Sequence, residues 1–505
     1  MPENTIVNPN PNPPVPATPA PPVAASFTSP IKPTPIPVPL AVSNPQPRNS
    51  SWLPPAAPAK PPPPPRPKSS LSLLIKIGAG VLVLTLLLGS YIFLVLPNMS
   101  KLSSAKVTLV YWGAWEDQKV MQPLIDAFEK QHPNITIDYV DQDIKGLAKE
   151  GQAYPSRLIA RINAGKGPDI FRYHNNWYPM LSSVLAPMSK NVVSTQDFTS
   201  TYYPVVSQDL VHNGAIYGIP LDFDTLAMFV NPSIFKNAGE KIPSDLIGVE
   251  SVAPDLTVKG PDGEITTSGV AMGSLQNIAH GPDILGLLLA DSGVDPSNIS
   301  QNTAGVSNAL QYFTLFTSGD YATWADNLPN AVQMFASGNL AMYFGYSWDI
   351  LTIEKLNPSL HFAVYPMPSD SGVKRTIASY WVEGVSIRSQ HMPEAMEFMN
   401  FLNQKTTQQM FYSSAAKIRG FGELYARPDL ADSLKSNKLL YPFEEQGPDA
   451  VSTIFNSNTF DGGLNDQSIY YLDSALNKLS SNGSIQDSVD TLAKGITQVT
   501  QQYGK

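Results

Sequence analysis

The sequence holds no cysteine among its 505 residues. That excludes disulfides, a thiol nucleophile, cysteine-ligated zinc or iron–sulfur clusters and a lipid-modified N-terminal cysteine. Acidic residues are nearly missing from the first 76 positions, where Glu3 stands alone against Lys32, Arg48, Lys60, Arg66, Lys68 and Lys76. Net charge is therefore +5 up to Lys76 and −14 beyond it. An acidic main segment without a basic stripe argues against a general nucleic-acid binder. Catalytic signatures are missing as well: the main segment contains no P-loop, no HExxH and no GxSxG elbow. The histidines His132, His174, His212, His280, His361 and His391 show no metal-ligand spacing and read as ordinary surface or core residues. Asp141-Gln142-Asp143 superficially resembles a calcium loop, but Lys145 occupies a ligand position and Gln152 stands where a bidentate glutamate is needed. No metal and no cofactor are expected.

What is abundant is unevenly placed. Of 48 prolines, 25 fall before Ser70, five of them consecutive at positions 61–65. Residues 1–70 carry too few large apolar side chains to offset the entropy of folding, and read as a disordered Pro-rich spacer. Residues 77–96, IGAGVLVLTLLLGSYIFLVL, carry no charge and rise about 30 Å as a helix, the thickness of a bilayer core. We read 71–96 as a retained transmembrane signal anchor and 97–106 as a linker. The cations Arg66, Lys68 and Lys76 before the run favour a cytoplasmic N-terminus, with the C-terminal segment extracellular or periplasmic.

Residues 107–505 exceed what one core usually serves, so two lobes are expected. Val107, Leu109 and Tyr111 alternate as in a strand, Val120, Leu124, Ile125 and Phe128 recur at helical spacing, and Ile135, Ile137 and Tyr139 alternate again. This is a βαβ unit, with Pro123 tolerable only if the helix begins near Val120. Strands are expected at 169–173, 217–220, 225–230, 340–344, 362–365 and 384–387, with helices between them, and a hairpin at 256–271 around Pro261-Asp262-Gly263. Such alternation predicts an α/β fold with mainly parallel sheets and a ligand site beyond the strand ends.

Two features point to ligand chemistry. Asp222 and Asp224 follow Gly218-Ile219-Pro220 at a strand junction. Paired acids serve glycoside cleavage, but two residues apart on one segment they are more often a cap or a hydrogen-bonding contact. Six of seven tryptophans lie beyond residue 106, and Trp112, Trp115, Trp177, Trp348 and Trp381 flank turns or strand ends. Indole faces pack against the C–H faces of sugars while carboxylates and amides bind hydroxyls, so the set leans toward a carbohydrate cleft.

Several ordered motifs then carry a family resemblance: the WGAWED loop with a helix ending FEKQHPNITI, YPSRLIARINAGKGPDIF followed by LAPM, DLVHNGAIYGIPLDFDTLAMFVNPSIFKNAG, VQMFASGNLAMYFGYSW, YPMP, and GVSIRSQHMPEAMEFMNFLNQ. In this series the segment resembles the extracellular solute-binding proteins of ABC importers, family 1, the group that includes the maltodextrin-binding proteins.

The resemblance implies a two-lobed, hinged, periplasmic-binding-protein-like fold without enzymatic activity. Lobe 1 would span about 107–225 and 376–412, lobe 2 about 226–375 and 413–505. The implied partners are a sugar or oligosaccharide, held by closure of the lobes, and the importer's permease. Positions similar to the family's sugar contacts are Trp115 and Glu116 after the first strand, Tyr173, Asn176 and Trp177 after GPD, Asp224, Trp348 and Tyr470. Trp381 joins them from its place before the GVSI strand. Asn176 and Trp177 replace charged contacts of the maltodextrin binders, so the ligand need not be a maltodextrin. The lipobox cysteine is missing, and the membrane helix takes its place as anchor. Two competing readings are a membrane-anchored carbohydrate-active enzyme using Asp222 or Asp224, and a sensor signalling through the anchor.

Overall fold

The period switch at residues 107–139 is realised as strand β1 (Val107–Ala114), a helix (Gln118–Gln131) and strand β2 (Ile135–Gln142), with β1 and β2 parallel and Val107 opposite Ile135. The computed structural model describes residues 106–142, 152–369, 373–481 and 483–504, together with Thr85, which is helical and exposed. The expected tail, the apolar run 77–96 apart from Thr85, and the linker up to residue 105 lie outside the described residues. Among the described residues no helix is long and apolar enough to cross a membrane. The helix starts two residues earlier than Pro123 would prefer, because Asp117 caps it by accepting from the Lys119 amide. Pro123 thus sits inside the helix on its exposed face, where the missing donor leaves a carbonyl to solvent rather than to the core.

The remaining strands, in chain order, are β3 (Ile170–His174), β4 (Val211–His212), β5 (Ala215–Ile216), β6 (Ile219–Pro220), β7 (Asp224–Thr225), β8 (Ala227–Val230), β9 (Val258–Lys259) and β10 (Ile265–Val270). They continue as β11 (Leu340–Gly345), β12 (Ala363–Tyr365), β13 (Thr376–Ser379), β14 (Trp381–Val385) and β15 (Ala450–Val451). One sheet has the order β2-β1-β3-β14-β6, another β12-β8-β11-β10-β9. Both are mixed rather than mainly parallel. β14 runs antiparallel to β3 and β6, and β8 antiparallel to β11 and β12, because these strands arrive from the other lobe instead of by a local crossover helix. The β9–β10 hairpin forms as expected around Gly263, whose φ of 82° needs a residue without a β-carbon.

Two apolar cores result. One draws on residues 109–223 and 378–426 with Ala450, the other on 226–377 and 424–499. Between them runs a short sheet, β15-β13-β7, in which β7 pairs antiparallel with β13 through Asp224 opposite Ser379. The chain therefore leaves the first core at β7 and returns at β13, which brings the ends of β3, β7 and β14 to one place.

Gly113 shows how tightly this end of β1 is packed. A β-carbon there would lie 1.9 Å from the Tyr139 hydroxyl, which donates a 2.7 Å hydrogen bond to the Glu116 carbonyl and sets its ring edge-on to Tyr111. Gly113→Ala should therefore lower stability by about 1–3 kcal/mol through overpacking, read as a reduced denaturant midpoint at unchanged m. An unchanged midpoint would mean that Tyr139 moves aside freely.

Candidate functional site

A cavity of about 400 Å³ takes its lining from both sides of the crossing sheet. From the first side come Trp115 and Glu116 after β1, Arg172 and His174 on β3, Asp222 to Asp224, Trp381 at the start of β14, and Arg419 and Glu423. From the other come Trp348 and Ser457 to Thr459.

Arg172 is the centre of the first side. It is 2 % exposed and pairs with Asp222 through Nη2, lies 3.5 Å from Glu383 through Nε and 3.7 Å from Glu116 through Nη1. Arg419 binds Glu116 from the opposite direction and also binds Glu423. Burial lowers the affinity of Arg172 for its proton, yet Asp222, Glu383 and Glu116 outweigh this and hold the guanidinium charged. The carboxyls are displaced upward. Burial, with repulsion from Glu423, pushes Glu116 to about 8 against the pull of both arginines. Burial likewise takes Glu383 to about 7 and Asp222 to about 6. Asp222 also accepts the Trp381 amide at 2.7 Å.

Asp224 joins the two sides. Its Oδ2 accepts the Ser347 amide at 3.0 Å and the Ser347 hydroxyl at 2.5 Å, and its Oδ1 accepts the Thr225 amide at 2.8 Å. No ion pair neutralises it among the described residues, and burial raises its pKa in spite of these donors. Trp348 follows Ser347 and opens a helix (Trp348–Leu356); its ring is 39 % exposed and stacks on Tyr346 at 4.4 Å and 17°.

Beneath this stack lies a buried polar network. His280 places Nε2 2.9 Å from Asp349 Oδ2, which also accepts the Tyr343 hydroxyl and the Tyr346 amide. Its Nδ1 is 3.1 Å from the Ser457 hydroxyl and 3.8 Å from Asp283, which accepts the Tyr346 hydroxyl at 2.8 Å. Burial alone would discharge His280, but Asp349 and Asp283 reverse the sign and raise it to about 10. His174 has no such partner. Burial lowers it to about 4, and the neutral ring touches Asn176 and Ser379.

Of the nine residues expected to contact ligand, the structure brings Trp115, Glu116, Asp224, Trp348 and Trp381 to the cavity. The other four are corrected. β3 runs one residue further than expected, to His174, so strand alternation turns Arg172 and His174 toward the cavity and Tyr173 away, its hydroxyl donating to the Tyr217 carbonyl. Asn176 is a bolt between the lobes, donating to the Thr453 carbonyl, Asn456 and Asn465. Trp177 is fully buried, edge-on to Trp381 at 5.4 Å, and supports that ring from behind. Tyr470, 65 % exposed, lines a different surface depression beside Asp466 and Asp473. Trp112 lies within β1 rather than at its end. Asp169 ties distant segments together, accepting the Val110 amide at 2.9 Å and the Ser389 hydroxyl at 2.6 Å.

A family model described as bacterial extracellular solute-binding protein matches residues 113–409. Among solved structures, the sugar-binding protein MalE from Xanthomonas citri is 20 % identical with a TM-score of 0.64, covering 78 % of this chain and 98 % of its own. The cyclic α-maltosyl-1,6-maltose binding protein from Arthrobacter globiformis is 17 % identical with a TM-score of 0.62, covering 79 % and 100 %. An ABC transporter solute-binding protein from Thermotoga lettingae, bound with α-D-tagatose, is 17 % identical with a TM-score of 0.58, covering 78 % and 100 %. At such identities the likeness is one of fold. No curated protein sequence matches the chain.

The His280 network has a pH signature. A histidine raised from about 6.5 when unfolded to about 10 when folded stabilises fully below the first value and loses that contribution as pH rises to the second. The thermal midpoint of the wild type should therefore exceed that of His280→Gln by several degrees at pH 6, and the gap should close toward pH 10. A pH-independent gap would show that His280 is neutral in the folded state.

Proposed function

The chain belongs to the bacterial extracellular solute-binding protein family, and from that premise we propose that it is a membrane-tethered receptor that binds a sugar or oligosaccharide and hands it to an ABC permease. The observation that carries this reading is the joint lining of one cavity by Trp115, Trp348 and Trp381 together with Glu116, Asp222 and Asp224. Indoles take the apolar faces of a pyranose, and carboxylates accept hydrogen bonds from its hydroxyls. Because Trp348 and Ser457 stand across from Glu116 and Trp381, a ligand touching both sides stabilises the state in which the lobes are closed. Binding then works as a population shift. Solved relatives point the same way: the GacH receptor of Streptomyces glaucescens forms a complex with acarbose, and a cyclo/maltodextrin-binding protein forms one with maltotetraose. The apolar run 77–96, with cations before it, would hold the receptor at the outer face of the cell membrane with the tail in the cytoplasm.

An enzyme built on Asp222 and Asp224 is the weaker reading. Asp222 is paired with Arg172 and accepts the Trp381 amide, an arrangement that holds it as an acceptor rather than as the proton donor that glycoside cleavage needs.

Titration calorimetry of the full-length protein against an oligosaccharide panel, in a detergent without a sugar headgroup, tests the proposal. Saturable binding without hydrolysis is expected. Trp348→Ala should weaken it about 10- to 100-fold, the equivalent of roughly 1.5–3 kcal/mol for a buried ring. Hydrolysis that disappears in Asp224→Asn would replace the receptor reading with the enzyme one.

A further inference from the structure

The cavity is unevenly charged. Four carboxylates line it, Glu116, Asp222, Asp224 and Glu423, against two guanidiniums, Arg172 and Arg419. Both guanidiniums are already engaged in ion pairs, each with more than one carboxylate, and the buried Glu383 adds a further claim on Arg172. Asp224 has no cationic partner among the described residues, although it is only 7 % exposed and faces the cavity beside Trp348. A water-poor site with surplus carboxylate is relieved either by taking up protons or by receiving a cation. Burial raises the proton affinity of Glu116, Asp222 and Asp224 in the direction such a surplus requires.

A second feature bears on what the ligand must bring. Arg172 lines the cavity almost fully buried, yet its Nε and Nη1 make no hydrogen bond. Those two nitrogens face Glu383 and Glu116 at 3.5 and 3.7 Å, so the guanidinium is claimed by the protein's own carboxylates and leaves the cavity no spare cation. The three indole faces suit both the apolar face of a sugar ring and a cation held over it.

We infer that the preferred ligand is a basic saccharide, one that carries a protonated amine as well as hydroxyls, with its ammonium against Asp224 and Glu423. This rests on the saccharide-receptor reading above and narrows it. An ammonium contributes the missing positive charge and three donors, which a neutral hydroxyl cannot. An anionic saccharide would add to the surplus and is disfavoured.

The test is a matched ligand set titrated into the full-length protein at pH 7: glucose, glucosamine, N-acetylglucosamine and glucuronate, and the β-1,4-linked trimers of the first three. The amine form of a matched pair should bind at least about tenfold tighter than its neutral counterparts, as charge-assisted hydrogen bonds do, and glucuronate should bind weakest. Asp224→Asn should bring the ratio of amine to neutral affinity close to one. Glu423→Gln, at a partly exposed position where folding is not at stake, should lower the same ratio severalfold. Neutral sugars binding as tightly as their amine counterparts in the wild type would overturn the inference while leaving the receptor reading intact. Failure of every saccharide, basic and neutral, to bind would overturn both.

Discussion

A guanidinium cannot shed its proton inside a protein, and Arg172 stands fully buried in the middle of the first sheet. Much of the site follows from that one constraint. The charge has to be met by carboxylates, and those that meet it come from three distant parts of the chain: Glu116 after β1, Asp222 between β6 and β7, and Glu383 on β14, directly opposite Arg172 in the strand register. Breaking such a buried set by removing one partner typically costs about 3–5 kcal/mol, even where the set as a whole adds little net stability. Its value here is positional. It fixes where Glu116, Asp222 and the first residue of β14 stand relative to one another, and so where the ring of Trp381 is presented.

The facing side is organised on the same physical principle, a buried cation flanked by acids. His280 keeps its proton because Asp349 and Asp283 flank it, and those two acids also hold Tyr343 and Tyr346, the second of which carries the stacked Trp348. Trp348 is therefore seated on a charge-compensated polar network rather than on the hydrocarbon core. Polar contacts also join the sides, Asp224 to Ser347 and Asn176 to Asn465. Hydrogen bonds of this kind exchange readily with water or with a ligand's hydroxyls, whereas the two apolar cores on either side do not. The proposed closure would therefore act on the polar seam and leave each core intact.

Periodicity and turn chemistry were enough to read the βαβ opening, where burial falls on alternate and then helical positions, the β9–β10 hairpin, and the strands read at 340–344 and 362–365, the first of them a wholly buried apolar run. Loop placement and the family resemblance together pointed to Trp115, Glu116, Asp224, Trp348 and Trp381, which the fold brings to one cavity. What was not legible depended on contacts far apart in the chain. Arg419 reaches Glu116 across 303 positions, and no local pattern marks it. The place after the GPD segment pointed to Tyr173, whereas alternation along β3 turns its neighbours Arg172 and His174 to the cavity. His280 looked ordinary for want of metal spacing, and only the fold brings Asp283 and Asp349 to either side of it.

The central claim is that one ligand engages both lobes and draws them together. Because the chain contains no cysteine, Lys130→Cys in the helix after β1 and Lys355→Cys in the helix after β11 can carry two spin labels at unique exposed sites. Pulsed dipolar spectroscopy then reads the distance between the lobes directly. The account predicts that a saturating saccharide replaces a broad, longer distribution with a narrower, shorter one. A distance distribution unchanged by a saccharide that calorimetry shows to be bound would contradict it.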